Sequence, residues 1–530
     1  MSRAGWLRRF VPLGLALTIA ADPAAAAPPA EFDARVEALR KAVGVPGMAI
    51  AIVENGRTTL AKGYGVRKLG APEPVDADTL FPTGSTGKAF TVAALATLVD
   101  AGKIGWEDKV GDRLPGFQMY DPWVTREMTI RDLLVHRSGL GLGEGDLLFV
   151  PRSNIPRAEA VRRLRYLKPA TSFRSGYAYD NVLYMVAGQL IEAVTGQTWE
   201  DYVREHVLVP AGMARSTTDA ASRFETADRA FPHARLNGGL RGAGDQEVLD
   251  ERDELARSAA PAGGMAVSAN DLAKWLTLQL AHGQLPNGGR LFSEAAHTQM
   301  WNPVVITPIE SLSPALAATA PTYSAYALGW EIQDYRGTQI VWHGGAVFGF
   351  KTAVVLIPSR NVGFSIEINS EDGELARGLM DELLDHYLGL APEDWPAKVI
   401  DYKKQAVANA VATLNATKAK PAAGGPSLPL GGYAGFYTDP WYGQIEVAAA
   451  KTGLTIDFKS TPRMSGKLEH WQYDTFVTRF DDAALEPAYV TFGLNADGGI
   501  ERVTMKAVSP IADFSWDYQD LLFTPTAAAR

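Results

Sequence analysis

The sequence predicts an α+β protein in which one sheet is assembled from distant segments and covered by helices, followed by a small all-β domain. Three observations carry this reading. β-type runs stand near residue 50 and return after residue 325, helical periodicity fills much of the stretch between, and beyond a Pro/Gly-rich linker only short β runs remain.

Residues 47–65, GMAIAIVENGRTTLAKGYG, are two β-type runs joined by Asn55-Gly56, a strong hairpin signal. In FPTGSTGKAFTVAALATLVD (81–100) the second half reads as a helix, with Val92, Leu95, Leu98 and Val99 on one face. NVLYMVAGQLIEAVTG places Leu183, Val186, Leu190 and Val194 on one face and stops at Gly196. SANDLAKWLTLQLAHG opens on Ser268 as a cap and closes at Gly283. The β pattern resumes in YALGWEIQDYRGTQIVWHGG and TAVVLIPSRNVGFSIEIN. Residues 395–418 read as a polar helix, and 418–432 as a linker. The β runs after 433 are GQIEVAAA, LTIDFK, YDTFVTRF, AYVTFGL and RVTMKAV, which suit a small barrel or sandwich. The expected division is 1–27, 28–392, 393–432 and 433–530.

At 530 residues the chain exceeds one ordinary domain, and 46% hydrophobic with 21% charged residues suits a globular protein with a sizeable core. The formal charge of 51 − 60 = −9 argues against nucleic acid or an anionic membrane surface as partner. With no cysteine there are no disulfides, thiolate metal sites or cysteine nucleophile. MSRAGWLRRF, the apolar run FVPLGLALTIAA and the small residues of ADPAAAAPPA make a secretory signal peptide, with cleavage expected near Ala25–Ala27. Losing Arg3, Arg8, Arg9 and Asp22 leaves 48 − 59 = −11. The expected mature protein is soluble, exported to the periplasm or secreted, and without an integral membrane span. A homo-oligomer is compatible with the sequence, which does not set the subunit number.

Three pieces could carry chemistry. Two helical residues three apart share a face, so a Lys88 amine stands one turn from the Ser85 hydroxyl. Ser85 either caps the helix or is a nucleophile with Lys88 as its base, and the motif alone leaves both open. The helix dipole would help to hold Lys88 neutral. In SGYAYDNVLY, Tyr179 and Asn181 precede a strong helix. Asn181 is a cap or a site residue, and Tyr179 a packed aromatic or a phenol whose anion needs a cation such as Lys88. In VWHGGAVFGF, His343-Gly344-Gly345 follow a β run, where glycines admit a substrate backbone or simply make a turn.

Taken together, in this order and spacing, Ser85–Lys88, Tyr179-Asp180-Asn181 and His343-Gly344-Gly345 resemble the serine β-lactamase and penicillin-binding-protein superfamily. The resemblance is to the branch of class C β-lactamases, D-Ala-D-Ala carboxypeptidases, D-aminopeptidases and related esterases. TIRDLLVHRSGL (129–140) and PAGGMAVSANDLAKW (261–275) are similar to segments of structural role there, and the likeness spans roughly 32–390. It implies an antiparallel sheet flanked by helices in an α/β sandwich. It also implies attack by Ser85 on a carbonyl, with Lys88 and Tyr179 relaying the proton and an acyl-enzyme released by water. The backbone N–H groups of Ser85 and Ala346 would hold the oxyanion, and Asn181 would bind the acyl side chain or orient Lys88. The C-terminal domain resembles the lipocalin-like module of some members, and its stretch LEHWQYDTF (468–476) is either barrel core or a reach toward the cleft or a neighbouring subunit.

One departure matters. Penicillin-recognising members carry Lys-Thr/Ser-Gly where this chain has His-Gly-Gly, so a permanent cation and a hydroxyl are missing. The expectation is an exported serine hydrolase of amide, peptide or ester bonds acting on a small-molecule or peptide substrate. The alternatives are a true β-lactamase or penicillin-binding carboxypeptidase, and a non-catalytic binding protein on the same fold. His136 reads as a structural hydrogen-bonder. The eight histidines show no H-E-x-x-H spacing, no nucleotide loop is present, and neither metal nor cofactor is expected.

Overall fold

The computed structural model describes residues 28–29, 31–253, 255–418, 425–451 and 453–526. The signal-peptide reading falls on residues outside these. Among the described residues no helix is long and apolar enough to cross a membrane.

Strands β1 (Gly47–Glu54), β2 (Arg57–Gly65), β3 (Val305–Ile306), β4 (Ser324–Tyr326), β5 (Glu331–Tyr335), β6 (Thr338–Val347), β7 (Phe350–Ile357) and β8 (Val362–Ile368) form one sheet. Their order is β2-β1-β8-β7-β6-β5-β4-β3, antiparallel throughout. Asn55 (φ 50°) and Gly56 (φ 72°) are both left-handed, the twist that a two-residue hairpin turn requires. Strand β1 then pairs with β8, Met48 opposite Ile368 and Glu54 opposite Val362, so distant segments close one sheet.

Both faces of that sheet are covered, which explains why β1 reads as a continuous apolar run. Met48, Ile50 and Ile52 face a core shared with Val36 of α1 (Phe32–Val43) and with Leu375, Leu379 and Leu383 of the helix Gly373–Leu388. Ala49, Ala51 and Val53 face a second core with the helices Lys88–Asp100 (α2), Val182–Thr195 (α3) and Ala269–Leu280 (α4). The result is a helix–sheet–helix sandwich. Gly196 (φ 73°) ends α3 as its sequence suggests, and Ser268 caps α4 by accepting from Asp271 N. Helix α4 stops at Leu280, short of Gly283, whose N–H returns to Leu278 O.

Helix α2 departs from the expected single apolar face. Lys88 through Ala96 and Leu98 are all buried, because Ala89, Ala93, Ala94 and Ala96 let neighbours close on every side. Phe90 stacks on Trp275 of α4 at 4.0 Å, and Thr91 donates to Pro261 O while accepting from Trp199 Nε1. The Ser-Lys motif therefore opens the central helix of the domain rather than a surface one.

After the helix Gly373–Leu388 (α5) and the long helix Trp395–Lys418 (α6) comes a closed eight-stranded barrel. Its strands are β9 (Gly435–Asp439), β10 (Gly443–Ala450), β11 (Gly453–Phe458), β12 (Ser465–Gln472), β13 (Thr475–Phe480), β14 (Ala488–Leu494), β15 (Ile500–Ala507) and β16 (Leu522–Pro525). Strands β9, β12 and β16 have no counterpart among the runs read from sequence. Along 468–476 Leu468 and Phe476 enter the barrel core, while Glu469, His470 and Tyr473 are exposed, the alternation being interrupted where the register shifts between His470 and Gln472. The stretch that reaches the cleft is a different one, carrying Phe514, which packs against Tyr179. Helix α6 touches both units, with Ala410 and Leu414 clustered with Leu240 and with Val508 of the barrel domain.

Phe364 lies fully buried in the α1/α5 core, away from the Ser85 face. Phe364→Ala should lower the unfolding free energy by about 3–5 kcal/mol, read by chemical denaturation.

Candidate active site

Ser85 sits on a 3₁₀ turn, Gly84–Gly87, that runs directly into α2 at Lys88. It does not cap the helix, since no side-chain cap bond forms there. Its partner is Lys88. The Lys88 side chain is fully buried, and Nζ lies 3.0 Å from Ser85 Oγ, 2.7 Å from Asn181 Oδ1 and 3.0 Å from Ala262 O. Asn181 Oδ1 and Ala262 O can only accept, so they take two amine hydrogens. A neutral amine then has one lone pair left, facing the Ser85 hydroxyl. Asn181 is fixed in this orientation because its Nδ2 donates to Asp146 Oδ2 at 2.8 Å, and it makes no cap bond to α3.

Burial pushes the Lys88 amine down to about 7, opposed by the carboxylates of Asp146 and Asp180. Burial likewise pushes Asp146 up to about 7, against hydrogen bonds from Asn181 and Ser515. The sequence suggests that the helix dipole helps to hold Lys88 neutral; in the folded chain burial is the cause that lowers it.

Tyr179 stands over the same amine, its ring centroid 4.8 Å from Lys88 Nζ. Burial raises its phenol well above 10, and the Ser85 hydroxyl beside it pulls the other way. The sequence leaves Tyr179 either a packed aromatic or a phenol whose anion needs a cation such as Lys88. Burial disfavours both charges, which favours a phenol beside an amine. The Tyr179 hydroxyl is buried beside the Ser85 hydroxyl and has no other hydrogen-bond partner among the described residues. His136 lies tilted against its ring at 4.1 Å and accepts from Asp180 N through Nδ1, which agrees with a structural role.

His343 is buried too, with both ring nitrogens committed. Gly344 O can only accept, so Nδ1 at 2.6 Å carries the hydrogen, and Nε2 accepts from Tyr326 O–H at 2.8 Å. Burial first, then Lys88, pushes the imidazole down to about 3. His343 therefore orients β6 through Tyr326 and carries no charge at neutral pH.

The two glycines after it serve different ends. A Cβ on Gly345 would stand 2.1 Å from Thr352 Oγ1, 2.3 Å from Thr83 O and 3.2 Å from Ser85 N. A Cβ on Gly84 (φ +51°) would stand 2.6 Å from Ala346 N. Backbone thus meets backbone, and the Ser85 turn lies directly against the Gly345-Ala346 segment. At Gly344 the nearest atom is a Trp342 ring carbon, 3.6 Å away.

Ser85, Lys88, Tyr179, Asn181 and the His343–Ala346 strand end are brought together. Sequence reasoning missed Ala262, Tyr326 and Asp146, none of which carries a local pattern of its own. Ala262 lies in the PAGGM stretch, whose family likeness was the available signal. No group of three or more His, Asp or Glu that could hold a metal ion occurs among the described residues.

Gly345→Ala should lower kcat/KM by about 10²-fold or more and reduce the melting temperature, since the Ser85 turn and β6 must part. Gly344→Ala should keep the wild-type melting temperature. Calorimetry and steady-state assays of the two variants check this.

Residues 32–388 match the family model described as beta-lactamase, and residues 419–525 match one described as a domain of unknown function, DUF3471. The chain is 35% identical over 424 residues to an unguisins hydrolase of Aspergillus campestris, covering 76% of this chain and 74% of that protein. It is 30% identical over 368 residues to penicillin-binding protein 4 of Amycolatopsis lactamdurans, covering 68% of this chain and 89% of that protein. Among solved structures, an octameric penicillin-binding protein homologue from Pyrococcus abyssi aligns with TM-score 0.59 at 20% identity, over 90% of this chain and 97% of that one.

Proposed function

The chain belongs to the beta-lactamase family of serine hydrolases, and from that premise we propose that it is an exported hydrolase of neutral amide, peptide or ester bonds, acting through an acyl-enzyme on Ser85. The observation that carries this reading is the Lys88 amine, buried 3.0 Å from Ser85 Oγ with its two hydrogens held by Asn181 and Ala262. In that state its lone pair accepts the Ser85 proton as Oγ attacks the carbonyl carbon. The N–H groups of Ser85 and Ala346 take the developing oxyanion; one such donor is typically worth about 10²–10³ in kcat. The proton then passes from Lys88 through the Tyr179 hydroxyl to the leaving group, and the C–X bond breaks. Water then gives a proton to the Tyr179–Lys88 relay as its oxygen attacks the acyl carbon; the C–Oγ bond breaks, Ser85 Oγ takes the proton back, and the acid leaves.

The substrate class follows from charge. A cation on the third element would contribute about 1.5–3 kcal/mol to a substrate carboxylate. Neutral His343 supplies none, which favours uncharged carbonyl substrates over β-lactams and free C-termini. Relatives named as unguisins hydrolases support hydrolysis over a binding-only role, while the penicillin-binding relative keeps the β-lactam alternative in the test. Export rests on the sequence of residues 1–27.

A fluorophosphonate followed by peptide mapping should mark Ser85, and Lys88→Ala should lose about 10²–10⁴-fold in kcat/KM. Activity should rise as pH climbs through about 7, because Lys88 must shed its proton. An acyl ester or aminoacyl anilide should exceed nitrocefin in kcat/KM. Faster turnover of nitrocefin than of every neutral substrate would overturn the substrate class.

A further inference from the structure

The barrel segment between β15 and β16 leaves its own domain and seats against the loop that carries Asp146. Asp517, fully buried, accepts from Gly145 N at 2.6 Å and from Leu147 N at 2.9 Å. Phe514 lies against Gly143 (φ +70°), where a Cβ would stand 2.7 Å from both its ring and its carbonyl oxygen. The same Phe514 ring meets Tyr179 edge-on at 5.8 Å, and Gly143 N donates to Tyr179 O. Between these two anchors Ser515 Oγ donates to Asp146 Oδ2 at 2.8 Å. That oxygen also accepts from Asn181 Nδ2, and Asn181 Oδ1 accepts from Lys88 Nζ. Four side chains thus run in one line from the barrel to the amine beside Ser85.

We propose that Ser515 of the C-terminal barrel is a positioning residue for the reaction, holding Asp146 so that Asn181 presents Lys88 to Ser85. The inference rests on the reading of Ser85 and Lys88 as nucleophile and base. Its logic is that of a hydrogen-bond network in a low-dielectric site, where one missing donor is felt along the line. Asp146 faces Lys88 from α2, Asn181 at the start of α3, and Asp513, Ser515 and Asp517 from the barrel segment. Asp180 adds negative charge toward both Lys88 and Glu144. In this crowd of carboxylates the Ser515 hydroxyl favours the ionised form of Asp146, and ionised Asp146 in turn favours a proton on Lys88. Removing the hydroxyl lets Asp146 keep its proton to higher pH, and Lys88 then sheds its own at lower pH.

The test is the rate at which a fluorophosphonate labels Ser85, followed against pH in the full chain. Ser515→Ala should move the midpoint of that profile down by about half a unit or more. Its plateau should fall about threefold or more. Ser515→Thr, which restores the hydroxyl, should restore the midpoint. A merely structural role would lower the active fraction without moving the midpoint. An unchanged midpoint in Ser515→Ala, whatever the plateau, overturns the proposal. Should Ser515→Ala fail to fold, Ser515→Thr decides: a midpoint displaced from wild type in a normally melting protein overturns it. Failure of the wild-type protein to label at Ser85 would instead sink the proposed function, a result separable from any comparison of variants.

Discussion

Lys88 has an amine at the centre of a helical core, with none of its side chain exposed, and most of what surrounds it follows from that placement. A primary amine so far from water loses its hydration, and the protonated form is disfavoured unless counter-charges make up the loss. The protein supplies them only in part, through Asp146 and Asp180. The outcome is an amine that sheds its proton near 7 and whose hydrogens are held by Asn181 and Ala262, leaving Ser85 to face its lone pair. Because desolvation also keeps Tyr179 a phenol and His343 an uncharged ring, no fixed positive charge stands among these groups around Ser85. Proton movement rather than ion pairing is what the site can do.

The site depends on close backbone packing. Gly84 meets Ala346, Gly263 meets Gly84, and Gly345 meets Thr83, each at a distance that would put a Cβ within 2.6 Å of a neighbouring main-chain atom. Thr352 Oγ1 donates to Thr83 O across the same seam, tying the Ser85 turn to the sheet. The central position of α2, reached through its run of alanines, brings the turn against the end of strand β6. The sandwich thereby presses the Ser85 turn against Ala346.

Much of this was legible in the sequence, and the reasons differ from element to element. Asn55-Gly56 announces a hairpin because two left-handed residues are demanded in sequence, and α3 announces itself by period and by Gly196. Ser85, Lys88, Tyr179, Asn181 and His343 were visible as local patterns. Tyr326 and Asp146 were not, since each acquires its role only when the sheet and the 143–147 loop close on the site. The same holds for Ser515, which lies 369 residues from its partner Asp146. Strands β9 and β16 escaped because they are short, and β12 because SGKLEHWQ is largely polar with no clear alternation. The ionisation states of Lys88 and Tyr179 could not be read from spacing at all, for burial decides both.

The central claim is that Lys88 is a neutral amine at working pH. Selective ¹⁵N labelling of lysine, with Lys88→Ala used to assign the resonance, lets its Nζ be titrated by NMR in the intact protein. The account predicts a midpoint near 7, separated from the other lysines; a Lys88 that keeps its proton until about 10.5 would contradict it.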